Sequence, residues 1–302
     1  MSYDKIIRIK MICNWCNSKE LCYEWSNMCE KGLLWQNIEI TWEDDNIDYY
    51  IIINYPQNKD NFYIPKKTII FQMEPWVAVK TWGEWSYPDE SKFMFVASHK
   101  NHLNAVQLQI RTIPVIFPQR YDNILSILSS KNHDDGHKKR INFIKQLELQ
   151  NIDLIHVYGR ENYHKIKNYK GCVIDDSKEK CFEKYKYTFQ SENNMEYNYA
   201  TEKIWESICC ECLCFYWGCP NLEEYIDSRC FIRLDLNDIN NSINTIQQAI
   251  REDWWSQRID IIRKEKEKIL NKLGFFPTIK KIISKDSSIY HSNNDKYYLN
   301  FP

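Results

Sequence analysis

The sequence has almost no net charge. Its 40 Lys and Arg stand against 41 Asp and Glu, a formal charge of -1. It therefore lacks the basic excess with which nucleic-acid and polyanion binders neutralise their partners. It also lacks a long apolar run at its start. MSYDKIIRIKMICNW holds neither a membrane-spanning stretch nor a signal-cleavage pattern. A soluble protein of a reducing compartment such as the cytoplasm is expected, with its 12 Cys as thiols. Internal repeats are absent. Cys13-Asn14-Trp15-Cys16 has no second C-x-x-C or paired-His motif to complete a zinc set. Ordinary thiols are the expectation there, with a redox pair or half a zinc site as alternatives. Asp44-Asp45, Asp134-Asp135 and Asp175-Asp176 lack the Asp-x-Asp spacing of a metal motif and read as surface acids. His99 and His102 have no third ligand nearby in the sequence. No metal centre and no cofactor is expected.

What is present is enough chain for two domains, 302 residues, and many aromatics, 15% with 11 Trp and 20 Tyr. Aromatics at that level serve either cores or carbohydrate contacts. Apolar runs at 6–12, 49–55, 67–73, 93–97, 106–110, 113–117, 152–157, 187–189 and 213–217 read as strands. Several are apolar without alternation, as in parallel sheets buried on both faces. Helical patterns cover 18–32, 138–147, the residues after Thr201, 239–250 and 254–273. Residues 123–137 read as a flexible loop, and those beyond about 284 as a tail or strap.

The stretch 187–220 organises the rest. A buried strand ends at the polar loop Ser191-Glu192-Asn193-Asn194. Tyr197-Asn198-Tyr199 then leads into a helix that Asn198 or Thr201 can cap, with Glu202 in its first turn. A second apolar run stops at Gly218-Cys219-Pro220. The polar loops should lie at the carboxyl ends of the strands, where open α/β sheets bind ligands. Cys209, Cys210, Cys212, Cys214 and Cys219 straddle a helix end and a strand, so they read as buried inert thiols. Elsewhere, Glu74 follows an apolar run and is fixed by Pro75, placed for chemistry or simply a loop acid. Trp76, Trp82 and Trp85 offer ring faces to a sugar or pack a loop onto the core. Lys138-Lys139-Arg140 opens a helix, where a bound anion would offset the unfavourable dipole.

Glu192-Asn193, Tyr199-x-Thr201-Glu202-Lys203-x-Trp205 and Gly218-x-Pro220-Asn221 together resemble the donor-binding motif of the α1,3-fucosyltransferases, glycosyltransferase family 10. The likeness is strong over about 185–235 and weaker elsewhere. It implies two Rossmann-like α/β domains facing a cleft, the glycosyltransferase-B architecture. The expected division is an acceptor-side domain at 1–126, a donor domain at 127–285 and a tail at 286–302. It implies inverting, metal-independent transfer, by default of fucose from GDP-fucose, onto a hydroxyl of a glycan or glycoconjugate, as in protein glycosylation. Carried over by residue, Glu74 in Met73-Glu74-Pro75 matches the general base, although the family's Ser is missing. Arg140, Asn193, Tyr199, Glu202 and Lys203 match donor-binding positions, with Arg160 a further candidate near the nucleotide. Many eukaryotic members are Golgi-anchored; this chain looks like a soluble form or an excised catalytic region. Two alternatives stand beside this: the same scaffold with a UDP-sugar or GDP-mannose, and a non-catalytic carbohydrate-binding protein.

Overall fold

A computed structural model describes residues 5–58, 61–98, 100, 102–103, 106–111, 119–150, 152–173 and 178–289. It divides into two units, 1–109 with 271–302, and 110–270.

The first unit is built on β1 (Ile7–Cys13), β2 (Leu34–Trp35), β3 (Ile38–Thr41), β4 (Tyr49–Ile53), β5 (Thr68–Phe71) and β6 (Phe95–Ala97). Their order is β2-β3-β1-β4-β5-β6. Every pair is parallel except β2 with β3. The strand order reverses between β1 and β4. Strand periodicity sends Ile9, Met11, Ile51, Ile53, Ile69 and Phe71 to one core, and Ile12, Ile52 and Ile70 to the other. Both faces are thus covered, which is why these segments are apolar without alternation. Helix α1 (Ser18–Trp25) is started by a capping box of Asn17 and Glu20 and contributes Leu21 and Trp25 to the first core. Between β5 and β6 lies the short α2 (Trp76–Val79).

The second unit carries β7 (Tyr121–Ile127), β8 (Ile155–Tyr158), β9 (Tyr169–Gly171), β10 (Tyr185–Ser191), β11 (Leu213–Trp217) and β12 (Phe231–Arg233). All pairs are parallel, in the order β12-β11-β10-β7-β8-β9. Counted from β7 this is the 3-2-1-4-5-6 order of dinucleotide-binding sheets, and it reverses between β7 and β10. Among the described residues five α-helices accompany it: α3 (Asp135–Gln150), α4 (Glu179–Phe182), α5 (Glu202–Cys209), α6 (Ile239–Arg251) and α7 (Trp254–Lys268). The expected parallel α/β class holds for both units.

Several sequence expectations are corrected. The boundary at 126/127 falls inside β7, which pairs with β8 and β10 and so belongs to the second unit. The chain returns to the first unit in α8 (Phe275–Ile289), whose Phe275, Phe276, Ile279, Ile282 and Ile283 join the first unit's core. Residues 271–285 therefore do not belong to the donor-side domain. Of the loop expected at 123–137, residues 128–134 are a loop, whereas 123–127 belong to β7 and 135–137 to α3. The helix at 18–32 stops at Trp25, followed by a single 3-10 turn, Ser26–Met28. Gly32 sits at φ 59 in the turn before β2. The strands expected at 106–110 and 113–117 reduce to one bridge, Val106 with Gly274, while 112–118 lie outside the described residues. His99 and Asp175-Asp176 lie outside them too.

Candidate active site

The site begins where β10 stops. Glu192 follows its last residue and has no exposed surface. A buried carboxylate needs donors on every side, and α5 supplies most of them. Glu192 accepts the Thr201 backbone N–H at 2.9 Å and the Thr201 hydroxyl at 2.5 Å. Lys203 Nζ, at 3.3 Å, and Tyr216 Oη of β11, at 3.3 Å, complete the set. Thr201 thus stands at the N-cap of α5 with its hydroxyl given to Glu192 rather than accepting from the helix. Lys203 Nζ also donates to Thr201 Oγ1 at 2.8 Å and to Glu202 at 3.3 Å. Glycine is required at 218 because a Cβ there would lie 2.5 Å from Glu192 Cγ and 2.6 Å from Tyr216 Oη.

Arg140 comes to the same strand end from α3. Its buried guanidinium donates through Nη1 to the Ser191 carbonyl at 2.7 Å. Its Nε is buried with no hydrogen-bond partner among the described residues. The helix starts at Asp135, so Lys138, Lys139 and Arg140 occupy its second turn rather than its N-terminus, and the dipole argument for an anion at 138 falls away. Lys139 pairs with Asp135 at 2.9 Å and lies over the Trp217 ring. Gly136 permits the close approach of α3 to β10: its N–H donates to the Asn193 carbonyl at 3.0 Å, and a Cβ would sit 2.0 Å from the Glu192 carbonyl oxygen. Since that oxygen is backbone, Gly136→Ala should destabilise by about 3 kcal/mol or more. Calorimetry checks this, and an unchanged midpoint would contradict it.

The electrostatics are tightly coupled. Desolvation opposes the charge on Glu202, but Lys203 and then Lys178 hold its carboxyl down to about 2. Desolvation likewise lowers Lys203, and Glu202 and Glu192 more than restore it, so its pKa ends raised. Burial lowers Arg140, against the pull of Glu192 and Glu202. Because Glu202 is depressed from 4.5, its contribution to stability is complete above that pH and is lost as pH falls towards about 2. The midpoint of Glu202→Gln should therefore fall less steeply between pH 4.5 and 2 than that of the parent chain; parallel curves would contradict the pairing.

The remaining sequence candidates are placed as follows. Tyr199 is buried and Asn193 half-buried, both in the loop between β10 and α5. Asn198, in a left-handed turn at φ 61, does not cap α5. Its backbone N–H donates to Asn221 Oδ1 at 2.9 Å and its Oδ1 accepts from Asn221 Nδ2 at 2.8 Å, so Asn221 holds this loop. Arg160 is exposed two residues beyond β8, two strands from β10. Glu74 is exposed beyond β5 in the first unit. The preceding Met73 N–H donates to Asn54 Oδ1 at 2.8 Å, and Asn54 Nδ2 to Asn14 Oδ1 at 2.9 Å, fixing the backbone that carries Glu74. Trp85 packs beside Tyr63 and Phe93, and Trp82 against Tyr55. Trp76 lies against Tyr87 with Lys100 above both rings. Glu192 and Asn221, which the sequence offers only as motif letters, are working residues of this loop. A Glu directly after an apolar strand, with a Lys eleven residues on, was the available signal for the first.

Residues 117–253 match the model of glycosyltransferase family 10 (fucosyltransferase) C-term. No curated protein sequence matches the chain. Among solved structures, an α1,3-fucosyltransferase with GDP is similar at TM-score 0.58 and 16% identity, covering 100% of this chain and 95% of that one. An α1,3-fucosyltransferase with GDP-fucose gives 0.54 and 16%, covering 99% and 94%. An α-glucosyltransferase in complex with UDP and a 13-mer DNA gives 0.57 and 11%, covering 95% and 100%. These likenesses establish the glycosyltransferase-B fold. Among the described residues no helix is long and apolar enough to cross a membrane. Residues 117–253, a little under half of the chain, carry the match to the C-terminal domain of glycosyltransferase family 10 (fucosyltransferase), and the chain is a glycosyltransferase.

Proposed function

We propose that the chain transfers fucose from GDP-fucose to a glycan hydroxyl in one inverting displacement that needs no metal ion. The observation that carries this reading is the charge cluster at the β7–β10 reversal. Among the described residues Arg140 has a buried N–H without an acceptor, and Lys203 is held charged by two carboxylates. A buried donor left unsatisfied costs about 1–3 kcal/mol, and a diphosphate oxygen is an acceptor of the right charge.

In the reaction the acceptor oxygen attacks the anomeric carbon as the bond from that carbon to the diphosphate breaks. Glu74 takes the acceptor's proton. Arg140, Lys203 and the N-terminus of α5 compensate the charge that grows on the leaving diphosphate. Asn193, Tyr199 and Glu202 hold the remaining donor groups; a carboxylate at 202 accepts two hydroxyl hydrogen bonds. Incubation with GDP-fucose and a glycan panel, with and without a chelator, tests the whole reading. Transfer that survives chelation, with an anomeric configuration opposite to the donor's by NMR, is expected. Transfer lost on chelation would overturn metal independence, and retained configuration would overturn the single displacement.

A further inference from the structure

We infer that His133, Asp134 and His137 form a binding site for one divalent transition-metal ion of the zinc type. His133 and Asp134 immediately precede α3 and His137 lies in its first turn. Asp134 Oδ2 is 3.6 Å from His133 Nε2 and 3.4 Å from His137 Nδ1. All three donor atoms lie within 4.8 Å of one another. Zinc bonds of about 2.0–2.1 Å in a tetrahedral set place donor atoms roughly 3.4 Å apart, so two edges of the tetrahedron are already formed. No other trio of His, Cys, Asp or Glu among the described residues is so gathered.

The chemistry selects the ion. Two imidazoles and one carboxylate suit zinc, cobalt or nickel; magnesium and calcium prefer oxygen alone. His133 is exposed and gives an entry path, Asp134 is partly covered, and His137 is buried. A water fills the fourth position. The Asp134 backbone N–H now points at His137 Nδ1 from 3.3 Å, a weak contact that an ion displaces. Arg140 and Lys131 bring positive charge to the neighbourhood, so binding should be micromolar rather than that of a closed structural site. The ion would pin the segment around Gly136, which carries the contact to Asn193. It takes no part in the transfer step proposed above, and the inference does not depend on that step.

The test uses the whole chain, stripped with chelator and titrated with Co²⁺ and then Zn²⁺. One equivalent of Co²⁺ should give a visible d–d band without thiolate charge transfer in the near ultraviolet, and Zn²⁺ should displace it. Changes in outer-shell partners alone cost about 10–100-fold in metal affinity, so His133→Ala should weaken binding at least tenfold. Asp134→Asn should do the same, and both replace side chains outside the core. A band with thiolate charge transfer that survives His133→Ala would assign the ion to cysteines and overturn the proposal. So would no uptake at micromolar Co²⁺ or Zn²⁺.

Discussion

Lys203→Ala should lower the turnover number by roughly 10²–10³-fold, the loss that follows removal of one preorganised donor from a developing negative charge. The variant also removes the cation that Glu192 and Glu202 share. Two carboxylates then face each other, one of them with no exposed surface, and stability should fall by about 2–4 kcal/mol. A double variant separates the two effects. Glu192→Gln with Lys203→Ala removes the stranded charge and keeps a polar group for Thr201 and Tyr216. It should regain much of the melting temperature while transfer stays lost. If the double variant recovered transfer along with stability, Lys203 would be a structural residue and the electrostatic account would fail.

Glu74→Gln should reduce transfer by about 10²–10⁴-fold, the usual contribution of a positioned general base, while GDP binding stays within a fewfold of the parent. The side chain is exposed and its carrying backbone is fixed through Asn54, so the substitution should leave the fold unchanged. Calorimetric titration with GDP and initial rates at saturating donor make the comparison. Loss of GDP binding together with transfer would show that Glu74 does not act simply as a base.

The sequence carried the second unit better than the first. The spacing from Glu192 to Asn221 lies in one strand–helix–strand segment, and β11 spans the residues expected of it. What escaped was long-range. Most of α8 reads as the end of the donor domain because its apolar residues show no partner in the sequence; they bury against strands of the first unit, far earlier in the chain. The polar start of β7 hides a strand because Tyr121 and Asp122 are exposed and only Ile124, Leu125 and Ser126 are buried. The α3 start was misplaced because Asp135 and Gly136 look like turn residues. Gly136 is there instead for the close approach of the β10 loop. Glu192 was legible as a motif letter but not as the carboxylate that positions Lys203, since that role exists only once β10, β11 and α5 meet.

The most direct test of the donor reading is a thermal-shift comparison of GDP, UDP, GDP-fucose, GDP-mannose and UDP-sugars on the intact chain. A ligand at 100 times its dissociation constant adds about 2.7 kcal/mol of stability, readily seen as a raised midpoint. A rise with GDP and GDP-fucose but not with UDP is the predicted result. A rise confined to UDP and its sugars would contradict the GDP-fucose assignment while leaving the fold standing. No rise with any nucleotide would contradict a donor site at Arg140 and Lys203 altogether.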